Sequence, residues 1–103
     1  MTRVTTVRFG ARFWADITRL EAFLQPEYPL QAADLYERLL SSFRLLKAHP
    51  RIGRPVHNPN GPPLRELLID QGRSGYLALY NYEPLSDTVN ILRVRHQREQ
   101  DYH

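Results

Sequence analysis

Two adjoining stretches of helical apolar periodicity constrain the fold of this chain more than any other feature. The first stripe consists of Phe9, Phe13, Ile17, Leu20 and Leu24, and Trp14 and Phe23 widen it. The second, within a stretch from about Leu30 to Ala48, consists of Ala32, Tyr36, Leu39, Phe43 and Leu46. Spacings of three and four residues place such side chains on one face of a helix. Because Pro26 and Pro29 interrupt the pattern between the stripes, the sequence predicts an antiparallel helical hairpin.

Short strand-like segments surround this hairpin. The Thr-rich segment Arg3–Arg8 alternates weakly and predicts a first strand. Three more strands are predicted in the last third of the chain, at Leu64–Asp70, Gly75–Glu83 and Thr88–His96. The predicted turns between these three are short, Gln71–Ser74 and Pro84–Asp87, so the strands should form an antiparallel meander.

The segment His49–Pro63 separates the hairpin from the meander. It is rich in proline and glycine, and we expect a stiff loop without regular structure. The predicted fold class is therefore α+β: an N-terminal strand and an antiparallel helical hairpin, packed on a small, mostly antiparallel sheet. With 103 residues and no linker-like tract, the chain 1–103 should form a single domain.

The last predicted strand does not alternate cleanly between apolar and polar residues. Val89, Ile91, Arg93 and Arg95 share one parity, whereas Asn90, Leu92, Val94 and His96 share the other. Two explanations fit this pattern. Either an interior strand emerges from the core at its last turn, or a β-bulge switches its faces.

Composition excludes several classes of protein. The chain has no cysteine, so disulfide frameworks and thiolate metal sites are impossible. Its four histidines lack paired ligand spacing, and we expect neither a metal nor a cofactor. No segment approaches about 18 consecutive apolar residues, and no signal-peptide pattern is present, so we expect a cytoplasmic protein without a membrane association.

The charge balance favours an anionic partner. The net charge is +3, and five basic residues (Arg38, Arg44, Lys47, Arg51 and Arg54) lie between Arg38 and His57 with no acidic residue among them. Such a field suits a nucleic acid or an acidic protein, although a solvated helix face also explains it.

The chemistry that these residues permit is narrow. Without metal ligands, a cysteine or a nucleophilic serine motif, the hydrolytic chemistry left is metal-free RNA cleavage, with a general base and phosphate-binding arginines. The candidates for that role are Arg73, Arg93, Arg95, His96, Arg98 and Tyr102, with Glu66 as a carboxylate. Structural roles compete with this interpretation. The arginines Arg93 and Arg95 can pair with Glu66, Glu83 or Asp87 across strands, and His96 can bond a neighbouring backbone group.

Several short motifs, in a fixed order, resemble the ParE/RelE superfamily of bacterial type II toxins. They are Phe13-Trp14-Ala15-Asp16-Ile17, His49-Pro50-Arg51-Ile52-Gly53-Arg54, Arg65-Glu66-Leu67, Tyr76-Leu77-Ala78-Leu79-Tyr80 and Ile91-Leu92-Arg93-Val94-Arg95-His96-Gln97-Arg98. The resemblance covers nearly the whole chain. It implies a toxin of the plasmid-stabilisation type, encoded beside an antitoxin whose disordered C-terminal segment folds along the toxin and blocks it.

The resemblance implies one of two activities. ParE-like members inhibit DNA gyrase by binding, whereas RelE-like members cut mRNA on the ribosome. The long helical segment Phe9–Ala48, with Lys47 as the single lysine of the chain, favours the ParE-like branch. If the chain is instead a nuclease, the resemblance implies catalytic roles for Arg73, Arg93, His96, Arg98 and Tyr102. A third alternative is a non-toxic basic binding domain.

We also expect particular interaction surfaces. For a gyrase inhibitor, the expected target-binding residues are Arg65, Arg73, Arg93, Arg95, His96 and Arg98. For the antitoxin, which should form a hetero-oligomer with this chain, we expect a groove of the hairpin near Trp14, Phe23 and Arg44, and a free sheet edge that accepts an added strand.

Overall fold

A helical hairpin packs against one face of a five-stranded sheet in this protein. The computed structural model describes residues 4–70 and 75–102. The elements, in chain order, are β1 (Thr6–Phe9), α1 (Ala11–Leu24), α2 (Pro29–Ala48), β2 (Arg54–Val56), β3 (Leu64–Ile69), β4 (Tyr76–Glu83) and β5 (Thr88–His96). Within these ranges, no helix combines the length and the apolar character that crossing a bilayer requires.

Both predicted helices are confirmed, with small changes at their starts. Phe9 belongs to β1, so α1 begins at Ala11, and α2 begins at Pro29, where proline is well tolerated because the first helical amides have no intrahelical acceptor. The buried residues of α1 include Phe13, Ile17, Leu20 and Leu24, and those of α2 are Ala32, Leu35, Leu39, Phe43 and Leu46. The predicted stripes thus face the core, except that Leu35 is fully buried while Tyr36 is half-buried.

The sheet has the strand order β1-β5-β4-β3-β2. The predicted antiparallel meander β3-β4-β5 is confirmed, and β1 adds to it in parallel with β5, with Thr6 opposite Thr88. The predicted first strand, Arg3–Arg8, is displaced to Thr6–Phe9. The predicted turn Gln71–Ser74 lies outside the described residues.

The expectation that His49–Pro63 contains no regular structure is wrong at one place. Residues Arg54–Val56 form β2, which pairs antiparallel with β3 and places Arg54 opposite Glu66. Pro55 lacks an amide donor, which a central strand needs on both sides. An edge strand tolerates it because only one side is paired.

A β-bulge in β5 explains its irregular alternation. Leu79 lies opposite Arg93, but the next residue, Tyr80, lies opposite Ile91, so Leu92 is the extra residue. The bulge switches parity, and Val94 joins Ile91 in facing the hairpin. Since β5 also lies between β1 and β4, it is both an interior strand and a bulged one.

Beyond the end of β1, side chains form hydrogen bonds with the backbone along the free edge of β5. The Val94 amide donates to Asp16 Oδ2 at 3.0 Å, and Arg19 donates to the Val94 carbonyl at 3.3 Å. The His96 amide donates to Glu99 Oε1 at 2.8 Å, and Arg19 also bonds Glu99. The Val94 amide and carbonyl and the His96 amide therefore have side-chain partners where none of the described strands lies along that edge of β5.

Candidate functional site

Charged side chains cross the sheet face that the hairpin leaves open. One row of paired residues crosses the four strands β2, β3, β4 and β5 in that order. It consists of Arg54, Glu66, Leu79 and Arg93. Register neighbours point to the same face, and Leu79 alternates with the buried Ala78 and Tyr80. The row therefore lies on the open face. We call Arg54, Glu66, Arg93, Arg95 and Tyr102 the open-face cluster.

Glu66 is the centre of the open-face cluster. Its side chain is only 6% exposed. Arg54 Nε donates to Glu66 Oε1 at 3.1 Å, and the Tyr102 hydroxyl donates to Glu66 Oε2 at 2.7 Å. Burial, followed by the hydrogen bond to this carboxylate, raises the pKa of Tyr102 far above its usual value. Tyr102 is consequently a neutral hydrogen-bond donor over the physiological pH range.

The ring of Tyr102 completes the connection from β3 to β5. The guanidinium carbons of Arg93 and Arg95 lie 5.7 and 5.3 Å from its centroid, within cation–π range. Arg95 also bonds the Glu99 carbonyl. The residues that follow β5 thus cover part of the open face and hold two arginines there.

Besides its contact with the Tyr102 ring, the guanidinium of Arg93 is hydrogen-bonded to an aspartate of α1. Its Nε and Nη2 donate to Asp16 Oδ2 and Oδ1 at 2.8 and 3.1 Å, and the two side chains are 11% and 4% exposed. The possible partners of Arg93 that the sequence indicated were Glu66, Glu83 and Asp87, and Asp16 was not among them. The available signal was a carboxylate inside the apolar stripe of α1, next to Ile17.

His96 lies on the opposite side of β5 from Tyr102. The register from Arg93 to His96 is regular, so His96 alternates with Arg95 and faces the hairpin side, where its ring meets that of Tyr76 at 5.3 Å. Its Nδ1 accepts the Arg98 amide at 3.1 Å. Burial, and then the charge of Arg98, lower the pKa of His96. The imidazole is therefore a hydrogen-bonded, neutral group at pH 7.

The remaining predicted target-binding residues have different surroundings. Arg65 donates to the carbonyls of Arg51 and Gly53 at 3.0 and 2.7 Å, and so ties β3 to the loop after α2. Arg98 is exposed, and its guanidinium forms no hydrogen bond or ion pair with residues 4–70 or 75–102. Arg73 lies outside the described residues.

Comparison with known proteins assigns the chain to a family. The family model described as "ParE toxin of type II toxin-antitoxin system, parDE" matches residues 7–101. The chain belongs to this ParE toxin family. It is accordingly a toxin of the type II toxin–antitoxin class within the ParE/RelE superfamily. No curated protein sequence matches it.

Solved structures of toxin–antitoxin systems share the fold of this ParE-family chain. It is similar to a chain of the chromosomal ParDE system from Pseudomonas aeruginosa, with 17% identity and a TM-score of 0.69 over 89% of this chain and 95% of that one. It is also similar to a chain of the RelBE2 complex from Mycobacterium tuberculosis, with 27% identity and a TM-score of 0.58 over 92% and 100% of the two chains. A chain of the intact Escherichia coli RelBE complex aligns with 15% identity and a TM-score of 0.59 over 92% and 99%.

The residues predicted to bind an antitoxin do not line one groove of the ParE-family chain. Trp14 is 45% exposed and its ring packs against Tyr36 of α2 at 5.4 Å, whereas Phe23 is 71% exposed. Nine positions at 100° per residue place these two side chains on opposite flanks of α1. Arg44 is exposed on α2. The outer sides of β1 and β2 are the two edges of the sheet.

Metal-binding groups do not gather in the part of the ParE-family chain that the structure describes. There, no three histidine, aspartate or glutamate side chains are arranged to hold an ion. The described site consists of hydrogen-bonded arginines, a buried carboxylate and a tyrosine hydroxyl.

Proposed function

We propose that this ParE-family toxin arrests growth by binding and inhibiting DNA gyrase, without hydrolytic chemistry of its own. The observation that carries the proposal is the separation of His96 from Tyr102 by the thickness of the sheet. A general acid and a general base must both reach the same phosphate. Two groups on opposite faces of β5 do not meet that condition, which favours a binding mechanism over RNA cleavage.

The proposed target-binding residues are Arg65, Arg73, Arg93, Arg95, His96 and Arg98. Arg65 lies opposite Tyr80, whereas Arg93, Arg95, His96 and Arg98 lie at the end of β5 or just after it, which we call the basic end of the sheet. Within it, Arg98 has an exposed guanidinium available to a partner, while Arg93 and Arg95 are held against Tyr102. Arg98 is therefore the residue that we expect to contact gyrase most directly, with Arg93 and Arg95 shaping the surface beneath it.

We further propose that a cognate antitoxin neutralises this toxin in a hetero-oligomer. The solved relatives from P. aeruginosa, M. tuberculosis and E. coli belong to toxin–antitoxin systems, which supports such a partner. The exposed faces of Trp14, Phe23 and Arg44, with the sheet edges at β1 and β2, are the proposed contacts. Because gyrase and a cognate antitoxin are cytoplasmic, the proposal places the toxin in the cytoplasm.

A second candidate function is ribosome-dependent mRNA cleavage. It is favoured by the 27% identity with a chain of the M. tuberculosis RelBE2 complex and by the contacts of the Tyr102 ring with both Arg93 and Arg95. In that case Arg73, Arg93, His96, Arg98 and Tyr102 are the candidate catalytic residues, and His96 and Tyr102 must approach each other after binding.

The deciding experiment is a supercoiling assay with purified gyrase, relaxed plasmid and the toxin, with and without its antitoxin. Loss of supercoiling that the antitoxin reverses supports gyrase inhibition. A parallel reaction with programmed ribosomes and mRNA tests the alternative, which is cleavage of the mRNA by the toxin. If mRNA is cut and gyrase remains fully active, the gyrase proposal is wrong.

A further inference from the structure

A tight turn at the end of β5 leads the chain back onto the open face of the sheet. The Glu99 amide donates to the His96 carbonyl at 3.0 Å, which closes this turn. His96 faces the hairpin side, whereas the hydroxyl of Tyr102 reaches Glu66 on the open face. The segment Glu99–Tyr102 therefore runs from the end of β5 onto the open face. We call this segment the strap.

Tyr102 holds the far end of the strap. Its hydroxyl donates to Glu66 on β3 at 2.7 Å, and its ring lies within cation–π range of Arg93 and Arg95 on β5. Because β4 lies between β3 and β5, this one side chain reaches across three strands. The two residues between Glu99 and Tyr102 are exposed. The contact of the strap with the open face therefore depends strongly on one tyrosine.

Glu99 holds the near end of the strap through polar contacts. Its carboxylate accepts the His96 amide at 2.8 Å and pairs with Arg19 of α1, and its carbonyl accepts a hydrogen bond from Arg95. Water reaches the ion pair, since the side chains of Arg19 and Glu99 are 28% and 21% exposed. Such a pair contributes modestly to stability. A segment held by a few polar contacts opens at a lower free-energy cost than the sheet beneath it.

Arg95 contacts the strap but has no anionic partner. It is half-buried, and no carboxylate of residues 4–70 or 75–102 lies within ion-pair distance of it. Its Nε is buried and lacks a hydrogen-bond acceptor among the same residues. The strap offers this guanidinium only a neutral ring and a carbonyl. An anionic oxygen would satisfy both the charge and the buried donor, and would thus stabilise Arg95 more than the strap does.

We propose that the strap is an autoinhibitory cover, which occupies the place where a carboxylate of the target protein binds Arg95 and which must lift before that contact forms. The proposal rests on the proposed function, which supplies a protein target with carboxylate side chains. It adds a regulated step to binding at the basic end of the sheet. The fraction of toxin molecules with an open strap then sets the apparent affinity for the target.

The test weakens each end of the strap and measures binding to immobilised gyrase. Tyr102→Phe removes the hydroxyl but keeps the ring, and Glu99→Gln removes the charge that pairs with Arg19. Both variants favour the open strap, so binding should tighten about three- to tenfold. The matched controls are Tyr28→Phe and Glu27→Gln, at exposed residues between the helices, and their binding should change by less than about twofold.

The direction of the change separates a cover from a purely structural element. A strap that only stabilises the fold would, when weakened, leave target binding unchanged or reduce it. A cover gives the opposite result, because the variants become less stable and yet bind the target more tightly. Urea denaturation of the same preparations shows whether stability falls while affinity rises.

Movement of the strap is measured with spin labels. The chain has no cysteine, so Gln100→Cys on the strap and Leu68→Cys on β3, both at exposed residues, can be labelled selectively. The distance between these labels should lengthen when gyrase binds. The control pair combines Leu68→Cys with Ser86→Cys, in the exposed turn between β4 and β5, and its distance should not change.

Three results would overturn the proposal. The first is unchanged or weakened gyrase binding by either strap variant. The second is an unchanged distance between the labels at Gln100 and Leu68 in the gyrase complex. The third is tightening that appears only with DNA-bound gyrase, because the anion at Arg95 would then be a phosphate of the DNA and not a carboxylate of the target protein.

A failure of the gyrase proposal is recognised separately, because the wild-type toxin then does not bind gyrase. The two strap variants and their controls are in that case compared by growth arrest in cells that contain equal amounts of toxin. Stronger arrest by Tyr102→Phe and Glu99→Gln than by the wild type supports the cover for another target. Equal or weaker arrest rejects it.

Discussion

The carboxylate of Asp16 and the guanidinium of Arg93 form a two-point hydrogen-bonded pair between α1 and β5, at 2.8 and 3.1 Å. Asp16 also accepts the amide of Val94 at 3.0 Å. One side chain of the helix thus fixes both the side chain and the backbone of the strand. Since both partners are largely buried, neither has water as an alternative partner.

Replacing Asp16 should destabilise the fold severely. In Asp16→Ala the guanidinium of Arg93 loses its buried carboxylate and the Val94 amide loses its acceptor, so we expect a loss of about 3–5 kcal/mol in the free energy of unfolding. Urea denaturation followed by circular dichroism measures this change. Asp34→Ala, at an exposed aspartate of α2, is the matched control and should change stability by less than about 0.5 kcal/mol. Equal stabilities of the two variants would contradict the role of Asp16.

Replacing Arg98 should weaken gyrase inhibition, whereas replacing Arg93 should lower the stability of the fold. Arg98→Ala removes an exposed guanidinium and should reduce gyrase inhibition about tenfold while leaving the unfolding midpoint unchanged. Arg93→Ala removes the two-point partner of the buried Asp16, which keeps the Val94 amide and Arg19 Nη2 at 3.4 Å, and should lower stability by about 2 kcal/mol. The double variant should lose toxicity. Supercoiling assays and denaturation curves on the same preparations separate the two effects, and a fully toxic double variant would exclude these residues from the target surface.

The hydroxyl of Tyr102 should contribute to stability through Glu66. Tyr102→Phe keeps the ring beside Arg93 and Arg95 but removes the donor to a buried carboxylate, which should cost about 1.5 kcal/mol of unfolding free energy. Tyr28→Phe, at a half-exposed tyrosine before α2, is the control with no expected change. If the two variants unfold at the same urea concentration, the hydrogen bond to Glu66 is of no consequence for stability.

Stability should depend on pH through His96. Burial lowers the pKa of His96 in the folded state, so the unfolded chain binds a proton first as the pH falls. Its contribution to stability is therefore complete above about pH 6.5, the usual histidine pKa, and decreases as the pH falls below it. Denaturation curves between about pH 7.5 and 5.5 should show this decrease in the wild type and a shallower one in His96→Gln. Identical slopes would show that His96 does not titrate differently on folding.

Periodicity and turn chemistry were sufficient to predict the helices, the meander and the fold class. They were not sufficient for β2, because a three-residue edge strand that contains Pro55 has no alternation to detect. The irregular parity of β5 indicated either an interior strand or a bulge, and the structure has both. The bulge at Leu92 depends on pairing with β4, which a single strand's sequence does not encode.

The candidate site was predictable in residue type but not in arrangement. Arginines at the end of β5 were recognised, yet their surroundings depend on residues far away in the chain. Asp16 lies 77 positions before Arg93, and Glu66 lies 36 before Tyr102. The side of the sheet that His96 occupies depends on the bulge at Leu92, which fixes the parity of everything after it. Such relations arise only when the strands are paired.

The pairing of β1 with β5 also sets the time at which the toxin is completed. Among the described strands, β5 is the single partner of β1, and it is the last of the strands to be synthesised. During translation, β1 and the hairpin leave the ribosome before the strand that joins them to the rest of the sheet exists. A nascent chain therefore cannot join β1 to the β4-β3-β2 part of the sheet, and lacks the arginines of β5, until this last of the described strands has been synthesised.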